Sequence, residues 1–314
     1  MELVQTIHEL QEALAELQST HPNAPRQLVP TMGALHEGHR ELLKHAVEQG
    51  PTVATIFVNP LQFGPNEDFE RYPRDLTHDQ EVCQQEGVSV LFAPTLQDMA
   101  LDEQHFMIQP RALIQHMCGP HRPGHFEGVC HVVMRLFSLI QPDEAWFGQK
   151  DFQQYRVLEA MVDEFALPIR MHCVETVREA DGLALSSRNR YLSPQERESA
   201  VALFQALEQL KLAIEAKHPP KQLQQTRNEL HAQLSETGFR LEYLDVYDVS
   251  TLAPVELMPS VEILSPVEES TLDQPLVVAG AGWMGDTRLI DNILINTESN
   301  VASEVGFRGN KRLL

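Results

Sequence analysis

The chain has 314 residues, of which 42% are hydrophobic, which suits two packed domains and excludes a disordered or fibrous chain. Its 45 acidic side chains outnumber 24 basic ones, giving a formal net charge of −21 that repels phosphate backbones and anionic lipid, so neither nucleic acid nor a membrane is expected as partner. A small anionic substrate would be repelled as well, unless its basic ligands are gathered in one place. Four cysteines (Cys83, Cys118, Cys130, Cys173) are too few and too scattered for a disulfide framework and read as free thiols of a soluble, cytoplasmic protein.

In chain order, the first seventeen residues carry no basic n-region and no apolar h-region. They read as an amphipathic helix with Leu3, Ile7, Leu10, Leu14 and Leu17 on one face. Residues 28–32, 52–58, 88–92 and 168–174 are short, apolar and β-branched, each a buried strand. Helical patterns at 37–49, 75–86, 128–140 and 151–165 alternate with them. The apolar stretch 132–142 is too short to span a bilayer and contains Arg135. This alternation predicts right-handed βαβ units: an α/β, Rossmann-like parallel sheet with helices on both faces. Ligands of such sheets bind beyond the carboxyl ends of the strands.

Residues 177–193 lack periodicity and read as a loop. Ser193, Pro194 and Glu196 then start a helix with a reciprocal cap. Helices at 194–217 and 221–237 and strands at 240–247, 275–279 and 287–295 suggest a smaller α/β domain. Residues 256–273 carry five acids and no Lys or Arg, a solvated loop. The expected division is a nucleotide-binding domain over 1–176, a C-terminal domain over 177–296 and a mobile tail over 297–314.

Three constellations carry chemistry. In PTMGALHEGH, residues 30–39, a strand ends and a helix begins, with His36 and His39 one turn apart and Gly33 and Gly38 permitting close approach of a ligand. A strand end, a helix N-terminus and two imidazoles suit a nucleotide's phosphates. By itself the His-x-x-His spacing also fits two surface histidines, and the turn also fits an adenylyltransferase that makes a dinucleotide. In SSRNR, residues 186–190, hydroxyls and guanidiniums suit a clamp on a triphosphate or an ordinary polar linker. In WFGQKDFQQ, residues 146–154, Lys150 sits where a helix begins, as phosphate ligand or as snorkelling surface lysine.

Two further patterns are set aside. Gly280 to Gly285 matches G-x-G-x-x-G, but a strand follows it and too little chain remains for a βαβ unit, so a tight turn between strands is expected. The stretch 116–131 holds Cys118, Cys130 and four histidines in a spacing that matches no standard zinc site.

Taken together, PTMGALHEGH, IFVNPLQFGPNEDFERYPR at 56–74, RPGHFEGV at 122–129, FGQKDFQQ at 147–154, VREADGLALSSRNRYLS at 177–193 and TRLIDN at 287–292 resemble the pantothenate synthetase (pantoate–β-alanine ligase) family of HxGH nucleotidyltransferases. Leu185 replaces the family's usual methionine, Gln149 its glutamate and Phe152 its common tyrosine; no charged ligand is lost. The resemblance implies that pantoate and ATP form pantoyl adenylate, from which β-alanine expels AMP. It implies His36, His39, Lys150 and Arg188 as catalytic residues, His39 being the candidate proton donor. It places ATP among Met32, Gly33, His36, His39, Gly148, Gln149, Lys150, Asp151, Val177, Leu185, Ser186, Ser187 and Arg188. Pantoate falls to Gln62 and Gln154, and β-alanine also to Gln62. Asn59, Tyr72, Arg122 and His125 are weaker members. It further implies Mg2+ carried by the triphosphate without a protein cage, and a homodimer.

Overall fold

The computed structural model describes residues 1–65, 67–101, 105–257 and 274–295. Its first part runs β1 (Glu2–Val4), α1 (Ile7–Thr20), β2 (Gln27–Thr31), α2 (Glu37–Gln49), β3 (Thr52–Ile56), α3 (Leu76–Gln85), β4 (Val90–Phe92), α4 (His125–Ile140), β5 (Glu144–Gly148), α5 (Phe152–Glu164) and β6 (Arg170–Val174). The strands form one parallel sheet in the order β1-β4-β3-β2-β5-β6. Successive residues serve opposite faces, as the pleat requires. Leu28, Val53, Phe92, Ala145 and Cys173 pack with α1, α4 and α5. Their neighbours Val29, Ala54, Leu91, Trp146 and Val174 pack with α2 and α3. The chain builds outward from β2 in one direction and from β5 in the other, so the order reverses between them. That switch point is where an open α/β sheet offers a crevice.

The second part comprises α6 (Pro194–Glu215), α7 (Pro220–Glu236), β7 (Phe239–Asp248), β8 (Leu276–Met284) and β9 (Thr287–Ile295). Its three strands pair antiparallel in sequence order. One face of this sheet, with Leu276 and Val278, packs on α6 and α7. The other, with Val277 and Ala279, meets Met117 and Phe152 of the first part.

Three expectations change. Leu3 belongs to strand β1, not to a helix: Thr6 and Glu9 form a capping box that starts α1 at Ile7, and Glu2–Val4 pairs with β4. Helix α4 begins at His125, ahead of the apolar pattern. In the glycine run, Gly280 to Met284 is strand, and the turn is confined to Gly285 and Asp286. The tail 297–314 and most of the acidic stretch 256–273 lie outside the described residues.

Candidate active site

The turn that leaves β2 is bent sharply. Gly33 has φ +80° and Ala34 φ +52°, the left-handed region where glycine is at ease and alanine is strained. Buried Asp79 of α3 holds it: Oδ2 accepts from the Ala34 N–H at 2.9 Å and Oδ1 from the Leu35 N–H at 2.7 Å. A side chain on Gly33 would strike that carboxylate, 2.7 Å from the Cβ position. The bend delivers His36 to the N-cap of α2.

His36 Nδ1 accepts from the Gly38 N–H at 3.2 Å, and His39 Nδ1 from the His36 N–H at 3.3 Å. The proton of each neutral ring is therefore on Nε2. The rings lie 4.1 Å apart. Burial first, then the Lys150 and Arg190 charges, lower His36 to about 4. Burial, His36 and Lys150 hold His39 well below its usual value. At neutral pH both are uncharged hydrogen-bond donors.

Lys150 sits in a 3-10 turn directly after β5. Asn292 of β9 fixes that turn, its Nδ2 donating to the carbonyls of Gln149 at 2.9 Å and Lys150 at 3.0 Å. The Gln149 side chain is turned to Asn292 as well, at 3.2 Å. Arg178 and Asp291 form a two-pronged ion pair, at 2.6 and 2.9 Å, that ties the start of the 177–193 segment to β9. Farther along that segment, Ser186 caps a second 3-10 turn, Ser187–Tyr191, that carries Arg188.

On the β3 side, Gln62 donates to Met32 Sδ at 2.8 Å and accepts from Asn59 at 3.2 Å. Asn59 also donates to the Gly128 carbonyl. Gly128 is required there: a Cβ would lie 2.3 Å from the Leu61 carbonyl oxygen. Arg122 donates to His125 Nε2 at 3.0 Å, which leaves His125 Nδ1–H to donate to the Gln62 carbonyl at 2.9 Å.

These loops enclose a cleft of about 1350 Å³ at the carboxyl ends of β2, β3, β5 and β6. Met32, His36, His39, Gln62, Gly148, Lys150, Asp151, Gln154, Val177, Leu185, Ser186, Ser187 and Arg188 all line it, as do Asn59, Tyr72, Arg122 and His125. Gly33 shapes the turn beneath and Gln149 faces β9; neither is among the described lining residues. The sequence reading assigned no role to Asp79, Asp291 or Asn292. Their partners are 45, 113 and 143 positions away; the TRLIDN stretch was the only signal for Asp291 and Asn292, and Asp79 had none. The cysteines and histidines of 116–131 go separate ways: Cys118 meets Tyr243 at 3.2 Å, and among the described residues no metal-holding group of His, Cys, Asp and Glu occurs.

A family model described as pantoate-beta-alanine ligase matches residues 2–294. The pantothenate synthetase of Pseudomonas entomophila is 43% identical over 307 residues, which is 96% of this chain and 100% of the relative. The crystal structure of the Thermus thermophilus pantothenate synthetase superposes with a TM-score of 0.81 at 39% identity, covering 93% of this chain and 99% of that one. The Francisella tularensis pantoate-beta-alanine ligase, solved with beta-gamma ATP and beta-alanine, gives 0.73 at 28% identity over 95% and 99% of the two chains. With the cleft at the switch point and this likeness along nearly its whole length, the chain belongs to the pantoate–β-alanine ligase family.

Proposed function

We propose that this protein is an ATP-dependent ligase that condenses (R)-pantoate with β-alanine to pantothenate, releasing AMP and pyrophosphate through pantoyl adenylate. The observation that carries this reading is the composition of one cleft. His36, His39, Lys150 and Arg188 supply donors and charge for a triphosphate, beside two neutral amides, Gln62 and Gln154. Amides suit the hydroxyls of pantoate, which both donate and accept. The ATP and β-alanine named for the Francisella relative agree with it.

In the first step a pantoate carboxylate oxygen attacks the α-phosphorus, and the bond to the bridging oxygen of the β-phosphate breaks. A carboxylate is already a nucleophile, so the protein's work is alignment and absorption of charge on the departing pyrophosphate. Lys150 and Arg188 bring full charges, and the imidazole N–H groups bring dipoles. In the second step the amine of β-alanine, having lost a proton to solvent, attacks the acyl carbon; the bond to the adenylate oxygen breaks, AMP leaves, and the nitrogen releases its second proton to solvent to give the amide. No covalent nucleophile is needed, and burial pushes the Cys130 and Cys173 thiols up to about 12.

Mg2+ fits this cleft as an ion brought by the triphosphate. Asp151 and Glu175 are lining carboxylates, and no cage of three ligands forms among the described residues. We further assign residues 1–176 and 177–296 to two domains that meet at this cleft, with the segment 186–188 as a clamp on the nucleotide. A cytoplasmic homodimer completes the reading. Supporting the dimer, Phe106 and Met107 stand 75% and 67% exposed. The test is exchange of labelled pyrophosphate into ATP with Mg2+. Exchange is expected to require pantoate and to proceed without β-alanine, which then yields pantothenate and AMP in equal amounts. Formation of ADP would indicate an acyl phosphate and overturn the reading.

A further inference from the structure

Glu67 and Asp68 are neighbours on the loop that follows β3, and each grips one arginine of the cleft. Asp68 accepts from Arg188 Nε and Nη2, both at 2.9 Å. Glu67 accepts from Arg122 Nε at 2.8 Å and Nη2 at 2.6 Å. Both carboxylates are sheltered, with the Asp68 and Glu67 side chains 13% and 17% exposed. Both line an adjoining gap of about 1050 Å³ but not the cleft, whereas Arg122 and Arg188 line both spaces. Each guanidinium is thus held by its Nε–Nη2 edge, and its Nη1 edge is left for other work.

That work differs at the two positions. Arg188 lies among the phosphate-side groups, its guanidinium over the rings of Phe63 and Tyr72. Arg122 turns Nη1 to His125 and also donates to the Gln62 carbonyl at 3.2 Å, which His125 binds too. Arg122 therefore fixes the main chain of a residue on the acid side. The loop itself is anchored at its far end, where Tyr191 donates to the Arg71 carbonyl at 2.9 Å.

We propose that Glu67 and Asp68 are a pair of positioning residues: Asp68 orients Arg188 for the phosphates of the nucleotide, and Glu67 orients Arg122, and through it Gln62, for the carboxylic acid. The assignment rests on the ligase reading above. A pair of purely structural ion bridges would tie the loops together without dividing its effects between the two substrates.

The test is pantoate-dependent pyrophosphate exchange by the full chain, with KM measured separately for each substrate. Removing one ionised partner of such a pair is expected to cost about 10- to 100-fold in the affected constant. Asp68→Asn is expected to raise the ATP KM and lower the exchange rate by that factor, with the pantoate KM within about twofold. Glu67→Gln is expected to raise the pantoate KM by that factor, with the ATP KM within about twofold. Reaction of β-alanine with supplied pantoyl adenylate should match the parent protein in Asp68→Asn, because pyrophosphate has already left. Should either variant fail to fold, Asp68→Glu and Glu67→Asp keep the charge, displace it by one methylene and carry the same division. Equal effects on both substrates, or no effect, overturn the assignment. Absence of pantoate-dependent exchange in the parent protein would instead sink the ligase reading itself.

Discussion

Burial, rather than charge, determines what His36 and His39 contribute. Each spends its Nδ1 lone pair on a main-chain N–H and keeps its proton on Nε2. An imidazolium would have to give up that main-chain bond, and burial already holds both rings in the neutral form. In the proposed reaction they act as oriented dipoles, while Lys150 and Arg188 carry the full positive charges. His39→Ala should slow adenylate formation by on the order of 10²–10³, the cost of one transition-state donor; single-turnover formation at the parent rate would remove His39 from the step. ATP binding near neutral pH should take up well under one proton, read from calorimetric enthalpies in buffers of different ionisation heat. Uptake of a whole proton would mean that the triphosphate converts an imidazole to the charged form, the state a proton donor requires.

Among the elements, the turn from β2 into α2 does the most for the site and was the least legible in its support. The glycines, the histidines and the strand-to-helix junction could be read directly, because a tight turn and a helix start have local signatures. Helix α6 was legible for the same reason, through Ser193 with Glu196, and α1 through its apolar face, although its start was not: the Thr6 and Glu9 cap went unread and Leu3 was counted into the helix. The apolar strands were legible because both of their faces are buried. Strand β1 was not: three residues carry no period, and its identity depends on pairing with β4 far along the chain. Asp79 is a like case. Within α3 it resembles any helix-surface acid, yet it is 1% exposed and holds two main-chain N–H groups of the bend. Asp79→Ala would leave both donors buried without acceptors, at about 2–5 kcal/mol of stability, and would let Ala34 relax from its left-handed conformation. Urea unfolding should register that loss. The ATP kcat/KM should fall further than stability alone explains, because His36 and His39 lose their platform; an unchanged value would make Asp79 structural only.

Across the whole molecule, a net charge of −21 surrounds a cleft whose positive groups are few and already engaged. Its histidines are engaged differently, through neutrality, and this sets how the protein responds to acid. Five described histidines (His36, His39, His125, His131 and His172) are held below the ordinary value of 6.5, with burial the first cause in each. For His125 the folded value is about 3, because a proton on Nε2 would also face the Arg122 guanidinium. Below about pH 6.5 the unfolded chain therefore binds protons that the folded chain refuses, so stability is complete above that pH and drains as pH falls towards the folded values. His125 alone contributes a loss of about 2 kcal/mol between about pH 6.5 and 5. Exposed carboxylates stay mostly ionised across that window, so the drain belongs to the imidazoles. Urea midpoints at about pH 7.5, 6 and 5 should fall in that order, and a flat profile would contradict the neutral assignment. MgATP supplies the control that locates the effect. Its phosphates would favour protons on His36 and His39 but not on distant His172, so saturating nucleotide should lessen the acid loss without abolishing it.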